Sequence, residues 1–384
     1  MKAAVLGYGT VGAGVYSMLS DAPGMEAGPV LVRPGKAVES FMVSDAALIF
    51  GDPTVDAVVE TLGGLDPAYS YGMRALEAGK HFITANKAMV AAHGLELAAL
   101  AREKGAAFLF SAACGGGVPF LHNLALSAET DRIEAVSGIL NGTTNYMLDA
   151  MQRRGLSYGD ALREAQSLGY AESDPTADVS GLDALRKMQL ACAVAFGVLP
   201  QSGMLCEGME HFTAADVEDI QSRGLVCRLM ARGSRAGESV SAYVEPVLFP
   251  RAAPESSVFT NNNMARYTGK RCGSIVLMGQ GAGRFPTASA VLRDLAAAQQ
   301  GARSMFPENC RAAEADNREA VHSYYIRTGG FAAVRLSLRS VLAQGEVVRA
   351  VTEPMSAEKM HALAQNIRKD GNDLFFAALE EELC

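Results

Sequence analysis

Short apolar runs alternate with amphipathic stretches over the first third of the chain. Residues 3–6, 30–32, 57–60, 81–84 and 107–110 are brief and apolar, which predicts strands buried on both faces. Between them, apolar positions recur at helical spacing over 11–19, 68–78 and 94–104. Strand and helix in alternation predict βαβ units, hence an α/β fold built on a parallel sheet with helices on both faces. Such sheets take their ligands at the carboxyl ends of the strands.

After Gly116-Gly117-Val118-Pro119 the pattern changes to longer helices over 121–127, 146–153, 158–168 and 182–196, with an alternating strand stretch at 239–248. A second domain of mixed helix and strand is expected there. The end of the chain predicts strand 324–327, helix 332–342, strand 347–351, helix 356–369 and strand 374–379, a small α+β appendage. The length of 384 residues suits two domains and such a tail.

Composition narrows the class. With 49% hydrophobic and 20% charged residues the chain is a folded one. Its net charge of −8 has the wrong sign for a dedicated nucleic-acid binder. Glycine, proline and charge interrupt every apolar run short of the ~18 residues a spanning helix needs, so no membrane association is expected. The 7 cysteines include no C-x-x-C pair, which suggests neither a disulfide framework nor a zinc ribbon. A start without a basic, cleavable leader adds to the expectation of a reducing cytoplasm.

Gly7-Tyr8-Gly9-Thr10-Val11-Gly12 follows a predicted strand and opens a predicted helix. In that setting the first glycine permits the turn, the second lets a pyrophosphate approach the backbone, and the third lets helix pack on strand. Dinucleotide binding is the favoured reading, against a plain glycine-rich turn. The second strand leads into Arg33 and Lys36, where an NAD-specific domain carries an acid for the ribose 2′-hydroxyl. Two cations there suit a 2′-phosphate, so NADP is expected over NAD, unless both are merely solvated.

Two lysines stand out. Lys87, in Thr84-Ala85-Asn86-Lys87, follows a strand of the nucleotide domain and lies where ligands sit, or else simply begins a surface helix. Lys187 closes the acidic segment that runs from Gly169 through Glu172, Asp174 and Asp178 to Asp183. Asp183 and Lys187 are four apart on a predicted helix and share a face, a spacing that by itself describes a solvated salt bridge.

Taken together, these segments resemble homoserine dehydrogenases. The glycine fingerprint, Thr84-Ala85-Asn86-Lys87, Gly138-Ile139-Leu140-Asn141-Gly142-Thr143-Thr144-Asn145-Tyr146, the acidic segment ending at Lys187, and Gly279-Gln280-Gly281-Ala282-Gly283-Arg284-Phe285-Pro286-Thr287 occur in that family's order. The resemblance spans roughly residues 1 to 310. It implies a Rossmann-type domain over 1–125 with a return helix at 286–316, and a substrate and dimerisation domain over 126–285. A reduced ACT-like tail over 320–384, one strand short of βαββαβ, completes that division. It also implies interconversion of L-homoserine and L-aspartate 4-semialdehyde, on the route to threonine, methionine and isoleucine, in a homodimer.

By that resemblance Lys187 is the acid and base, with Lys87 as second cation and proton partner. Either ammonium suits the substrate carboxylate. Glu172 and Asp183 would meet the substrate ammonium, Asp178 would orient Lys187 or the loop, and Asn141 and Thr143 would line the substrate floor. Gly7, Gly9, Thr10, Val11, Gly12, Arg33, Lys36, Thr84 and Lys87 would hold the cofactor. The family also places a monovalent cation such as sodium on carbonyls matching Cys114, Gly116 and Val118, with a glutamate where this chain has Ser111. Losing that charge weakens the site. The segment between Arg33 and Asp52 is also abridged.

Two other functions fit parts of the sequence. Cys114 as nucleophile would make a phosphorylating semialdehyde dehydrogenase, although no histidine motif accompanies it. A catalytically silent NADP-binding regulator would leave the spacing of Lys87, Glu172, Asp183 and Lys187 without a purpose.

Overall fold

A computed structural model of the protein describes residues 1–329 and 337–380. It divides into two compact units. The first comprises 1–133, 189–199 and 269–311; the second comprises 134–188, 200–268 and the described chain from 312 onward.

The first unit is built on β1 (Lys2–Leu6), β2 (Glu26–Leu31), β3 (Met42–Val43), β4 (Ala57–Glu60), β5 (His81–Thr84) and β6 (Phe108–Leu109). They pair in parallel as a six-stranded sheet in the order β3-β2-β1-β4-β5-β6. Its helices are α1 (Thr10–Leu19), α2 (Ala47–Phe50), α3 (Ala68–Glu77) and α4 (Lys87–Lys104). Residues 3–6 and 57–60 are buried throughout, which is why β1 and β4 read as unbroken apolar runs. The chain runs outward from β1 to β3 and then returns to β4, so the order reverses between β1 and β4 and opens a crevice at their carboxyl ends. Helix α4 begins seven residues before the expected start at 94, because the Asn86 side chain accepts from the Met89 N–H and caps it.

The helix Arg284–Gln299 lies in this unit and packs on α1, where a Cβ on Gly14 would stand 2.8 Å from the Arg284 carbonyl oxygen. The unit takes up the chain from 269, earlier than the expected 286. Within it, the glycine-rich turn is tied in by Gly117 N–H, which donates to the Gln280 carbonyl at 3.0 Å.

In the second unit the strands Leu225–Ala236 and Ser239–Pro250 form a hairpin paired from Leu225↔Pro250 to Ala236↔Ser239. Ile133–Ile139 adds antiparallel to the first of them, and Leu374–Leu379 adds parallel to the second. The tail then continues the same sheet through Tyr324–Gly329, Val347–Thr352 and Leu338–Ala343. One core joins tail and hairpin, with Met230, Val247 and Phe249 packed among Tyr324, Ile326, Met360, Ile367 and Phe376. The segment from 320 onward is therefore not a free-standing appendage. Arg327, within its first strand, donates to Asp216 at 2.7 Å and to the His211 carbonyl at 2.9 Å, which fixes that strand to the helix Ala214–Ser222 and the turn before it.

The expected helix over 332–342 needs correction. Residues 338–343 are a strand, paired antiparallel with Val347–Thr352 across a three-residue turn, while 330–336 lie outside the described residues. The tail thus has the fourth strand that the sequence pattern lacked, in the order fourth, first, third, second of a split βαβ fold. Among the described residues no helix is long and apolar enough to cross a membrane.

Candidate functional site

The glycine fingerprint sits at the carboxyl end of β1, beside the point where strand order reverses. Gly7 has φ +98, open to glycine at little cost. A Cβ on Gly12 would lie 2.1 Å from the Gly7 carbonyl oxygen, so the third glycine permits the helix–strand approach. Around Gly9, by contrast, a Cβ would meet nothing within 4 Å, and the backbone is open for a phosphate to approach. Thr10 and Val11 begin α1, whose N-cap Gly9 carries no capping side chain, leaving the first N–H groups and the positive helix end to an anion.

From these glycines a cavity of about 1040 Å³ extends along the sheet edge. Arg33 and Lys36 line it, both exposed, together with Phe41, Thr61 and Leu62. Of the residues expected to bind the cofactor, Gly7, Gly9, Arg33 and Lys36 line this one crevice, large enough for a nucleotide, whereas Thr10, Val11, Gly12, Thr84 and Lys87 are not among its lining.

Glu60, which the sequence reading counted only as the end of a strand, organises the opposite wall. Fully buried, it accepts from Leu62 N–H at 2.6 Å, Gly63 N–H at 3.1 Å and Thr84 Oγ1 at 2.5 Å. Thr84 in turn accepts from Asn86 N–H at 2.9 Å, and Asn86 Nδ2 donates to the Gly64 carbonyl at 2.6 Å. Thr84 is therefore a buried link that shapes the loops after β4 and β5, and Lys87 is the first residue of α4 beyond it. The signal available in sequence was an acid ending an apolar strand just before Thr61-Leu62-Gly63-Gly64.

Ser111 is buried and pairs with Asp294: its N–H donates to Oδ2 at 2.7 Å, and its hydroxyl lies 2.5 Å from Oδ1. Burial pushes the Asp294 carboxyl up to about 7, against the Ser111 hydrogen bonds that favour its charge. The turn that follows carries Cys114, Gly116 and Val118. Cys114 is fully buried, and the Val118 carbonyl already accepts from Phe120 N–H at 2.7 Å. Gly116 has φ +53 and packs against Gly281, whose carbonyl oxygen a Cβ would approach to 2.3 Å.

The second unit gathers five of the sequence-predicted residues. The strand Ile133–Ile139 ends at Leu140, and Asn141 caps the helix Gly142–Arg154 by accepting from Thr144 N–H at 2.8 Å. Its Nδ2 donates to Asp178 at 2.7 Å and to Asp183 at 2.9 Å. Lys187 Nζ donates to the Leu140 carbonyl at 2.6 Å and pairs with Asp183 at 2.7 Å. The pair is no solvated surface bridge, since the two side chains are only 13% and 11% exposed. Thr143 Oγ1 donates to the Tyr170 carbonyl at 2.6 Å and lies 3.2 Å from Asp178. Burial, with the charge of Asp183 beside it, raises the Asp178 carboxyl above its ordinary value in spite of the Asn141 hydrogen bond.

Asp183 itself holds Lys187, whereas Asp178 engages Asn141 and Thr143. Glu172 is exposed in the loop before the helix Thr176–Val179, and Gln166 Nε2 reaches its carbonyl at 3.1 Å.

A dinucleotide crevice on a parallel sheet in one unit, and a buried lysine among carboxylates in the other, define a nicotinamide-dependent oxidoreductase. Family models agree: residues 7–111 match the homoserine dehydrogenase NAD-binding domain, and 119–296 match homoserine dehydrogenase. The homoserine dehydrogenase of Corynebacterium glutamicum is 39% identical over 316 residues, covering 77% of this chain and 71% of that one. That of Synechocystis sp. is 37% identical over 319 residues, covering 77% and 72%. The crystal structure of a homoserine dehydrogenase from Thiobacillus denitrificans superposes with a TM-score of 0.88 at 29% identity, covering 99% of this chain and 98% of that one. The chain belongs to the homoserine dehydrogenase family and is an NAD(P)-dependent oxidoreductase acting on a CH–OH group. Neither the cysteine-dependent enzyme nor the silent regulator is favoured.

Asp294 generates a stability prediction. With its value of about 7 above the ordinary 3.8, the folded chain binds this proton more tightly than the unfolded chain. The resulting cost to stability is absent below about pH 4, grows as pH rises and is complete above about pH 7. Asp294→Asn keeps a partner for Ser111 and cannot ionise. Its urea unfolding free energy, relative to wild type, should improve by about 2 kcal/mol between pH 5 and pH 7.5. Parallel pH dependences for the two proteins would refute the assignment.

Proposed function

We propose that the protein catalyses reversible reduction of L-aspartate 4-semialdehyde to L-homoserine with NADPH as the preferred cofactor, using Lys187 as acid and base. The carrying observation is Lys187 itself, largely withdrawn from water with its ammonium donating to the Leu140 carbonyl and paired with Asp183. A bound nicotinamide supplies the hydride that reaches the substrate C4 or receives it in reverse. Lys187 donates a proton to the carbonyl oxygen as the alcohol forms, and takes it back during oxidation. Asp183 positions the ammonium, and Asn141 positions Asp183 in turn. Asp178 and Thr143 form the floor behind them, Lys87 is the second cation for an anionic substrate, and Glu172 meets the substrate ammonium from the exposed loop.

For the cofactor, the open backbone at Gly9 and the unfilled helix end suit the pyrophosphate, and Arg33 with Lys36 suit the 2′-phosphate. A monovalent cation is not part of this reading. Ser111 offers no charge, and both oxygens of the nearby buried acid, Asp294, are engaged by Ser111. The assembly is proposed to be a homodimer, in keeping with the exposed apolar residues Val276 and Met278 on the strand Gly273–Gln280.

Three measurements test this. In NADPH consumption with aspartate 4-semialdehyde, Lys187→Ala should lose on the order of 10²–10⁴ in kcat, and Lys187→Arg should not restore it, because a guanidinium keeps its protons. Cys114→Ala should retain wild-type turnover; if the two alanine variants exchange these behaviours, the lysine reading fails. Arg33→Ala should raise KM for NADPH on the order of tenfold while leaving KM for NADH nearly unchanged, and an unaltered NADPH/NADH ratio would count against the phosphate clamp. Sedimentation should give twice the chain mass of 40.4 kDa, and a monomer across the assay range would contradict the dimer.

A further inference from the structure

Phe41, in the abridged segment between Arg33 and Asp52, stacks on aromatic rings from the glycine fingerprint and α1. The Tyr16 and Phe41 rings lie 4.2 Å apart at an interplanar angle of 21°, and Tyr8 leans on Phe41 at 5.7 Å and 56°. Phe41 lines the cofactor cavity, whereas Tyr16 does not. One face of the Phe41 ring is therefore covered by Tyr16, and what the cavity meets is the remainder of that ring. The backbone beneath it is fixed: the Phe41 carbonyl accepts from Val30 N–H at 2.8 Å, and Met42 and Val43 pair with Val30 and Leu31 at the sheet edge. Arg33 and Lys36, on the connection between those two strands, line the same cavity.

We propose that Phe41, backed by Tyr16, is the platform on which the adenine ring of the dinucleotide stacks, so that this chain holds the base by ring contact on a very short β2–β3 connection. The inference rests on the dinucleotide reading and goes beyond it. The occupant follows from continuity. Gly9 marks the pyrophosphate end of the cavity and Arg33 with Lys36 its 2′-phosphate wall; adenine is the part of the molecule joined to that ribose. An aromatic face held rigid at that position supplies dispersion and π contact while losing little side-chain entropy on binding. Tyr16 acts through Phe41 as a positioning residue.

The test separates the two halves of the cofactor. Binding of 2′,5′-ADP, which carries adenine and the 2′-phosphate, and of nicotinamide mononucleotide is measured by calorimetry on the full chain. The proteins are wild type, Phe41→Ala, Phe41→Leu and Phe41→Tyr. Base–aromatic stacking predicts that Phe41→Ala and Phe41→Leu weaken 2′,5′-ADP on the order of tenfold, that Phe41→Tyr restores it, and that the mononucleotide is unaffected throughout. Phe41→Leu keeps an apolar side chain of similar bulk on Tyr16, so its loss reports the ring rather than the fold. Binding of 2′,5′-ADP by Phe41→Leu within twofold of wild type overturns the proposal, as does equal weakening of both halves. If the wild type binds neither half, the dinucleotide reading itself fails, and the platform with it.

Discussion

A lysine ammonium taken out of water must find acceptors inside the protein, and the second unit is arranged around meeting that demand for Lys187. The strand Ile133–Ile139 stops and the helix Gly142–Arg154 starts within two residues, and that break presents the Leu140 carbonyl to Nζ. Asn141 serves both ends of the same junction. Its oxygen caps the helix while its amide bridges Asp178 and Asp183, so the carboxylate facing Lys187 is itself held. An ion pair this well surrounded gains orientation more than net stability, because desolvating both charges offsets much of their attraction. Orientation is what proton transfer to a substrate oxygen requires.

The first unit solves a different problem with fewer charges. An anionic cofactor is met by backbone dipoles and by space: an open approach at Gly9, a tight one at Gly12, and a turn of positive φ at Gly7. The one deeply buried acid near this crevice, Glu60, is turned inward. Its oxygens are occupied by two backbone N–H groups and a hydroxyl, so it shapes the loops without opposing a phosphate. A chain of net charge −8 can thus still offer cations to an anion: Glu60 is engaged, and the exposed Arg33 and Lys36 line the cavity together with one exposed acid, Glu39.

What the sequence makes legible is what depends on neighbours along the chain. The glycine fingerprint, the strands 57–60 and 81–84, the helix 182–196 and the strand 374–379 all carry local signals of period and punctuation. The i,i+4 pair Asp183–Lys187 is likewise visible, but its burial is not, because spacing on a helix does not say which face meets the core. Long-range pairings leave less trace. Ser111 and Asp294 meet across 183 positions, and nothing local in the helix Arg284–Gln299 marks its acid. In the tail, residues 338–342 have spacing compatible with a helix, yet pairing with Val347–Thr352 across Gln344-Gly345-Glu346 makes them a strand. Pairing to an existing sheet edge overrides a weak local preference there.

Serine at position 111 is matched to the acid it meets, Asp294. A carboxylate at 111 would face Asp294, and two acids in contact in a buried place cannot both ionise without a cation between them. Serine removes one of the two charges, and Asp294, pushed up to about 7 by burial, is close to half protonated near neutral pH. With the proton in place the pair is neutral, and Ser111 meets both oxygens at the start of the turn leading into Cys114 and Gly116. The Ser111 N–H and hydroxyl thereby tie the start of this turn to the helix Arg284–Gln299, and Gly116 packs closely on Gly281 further along it.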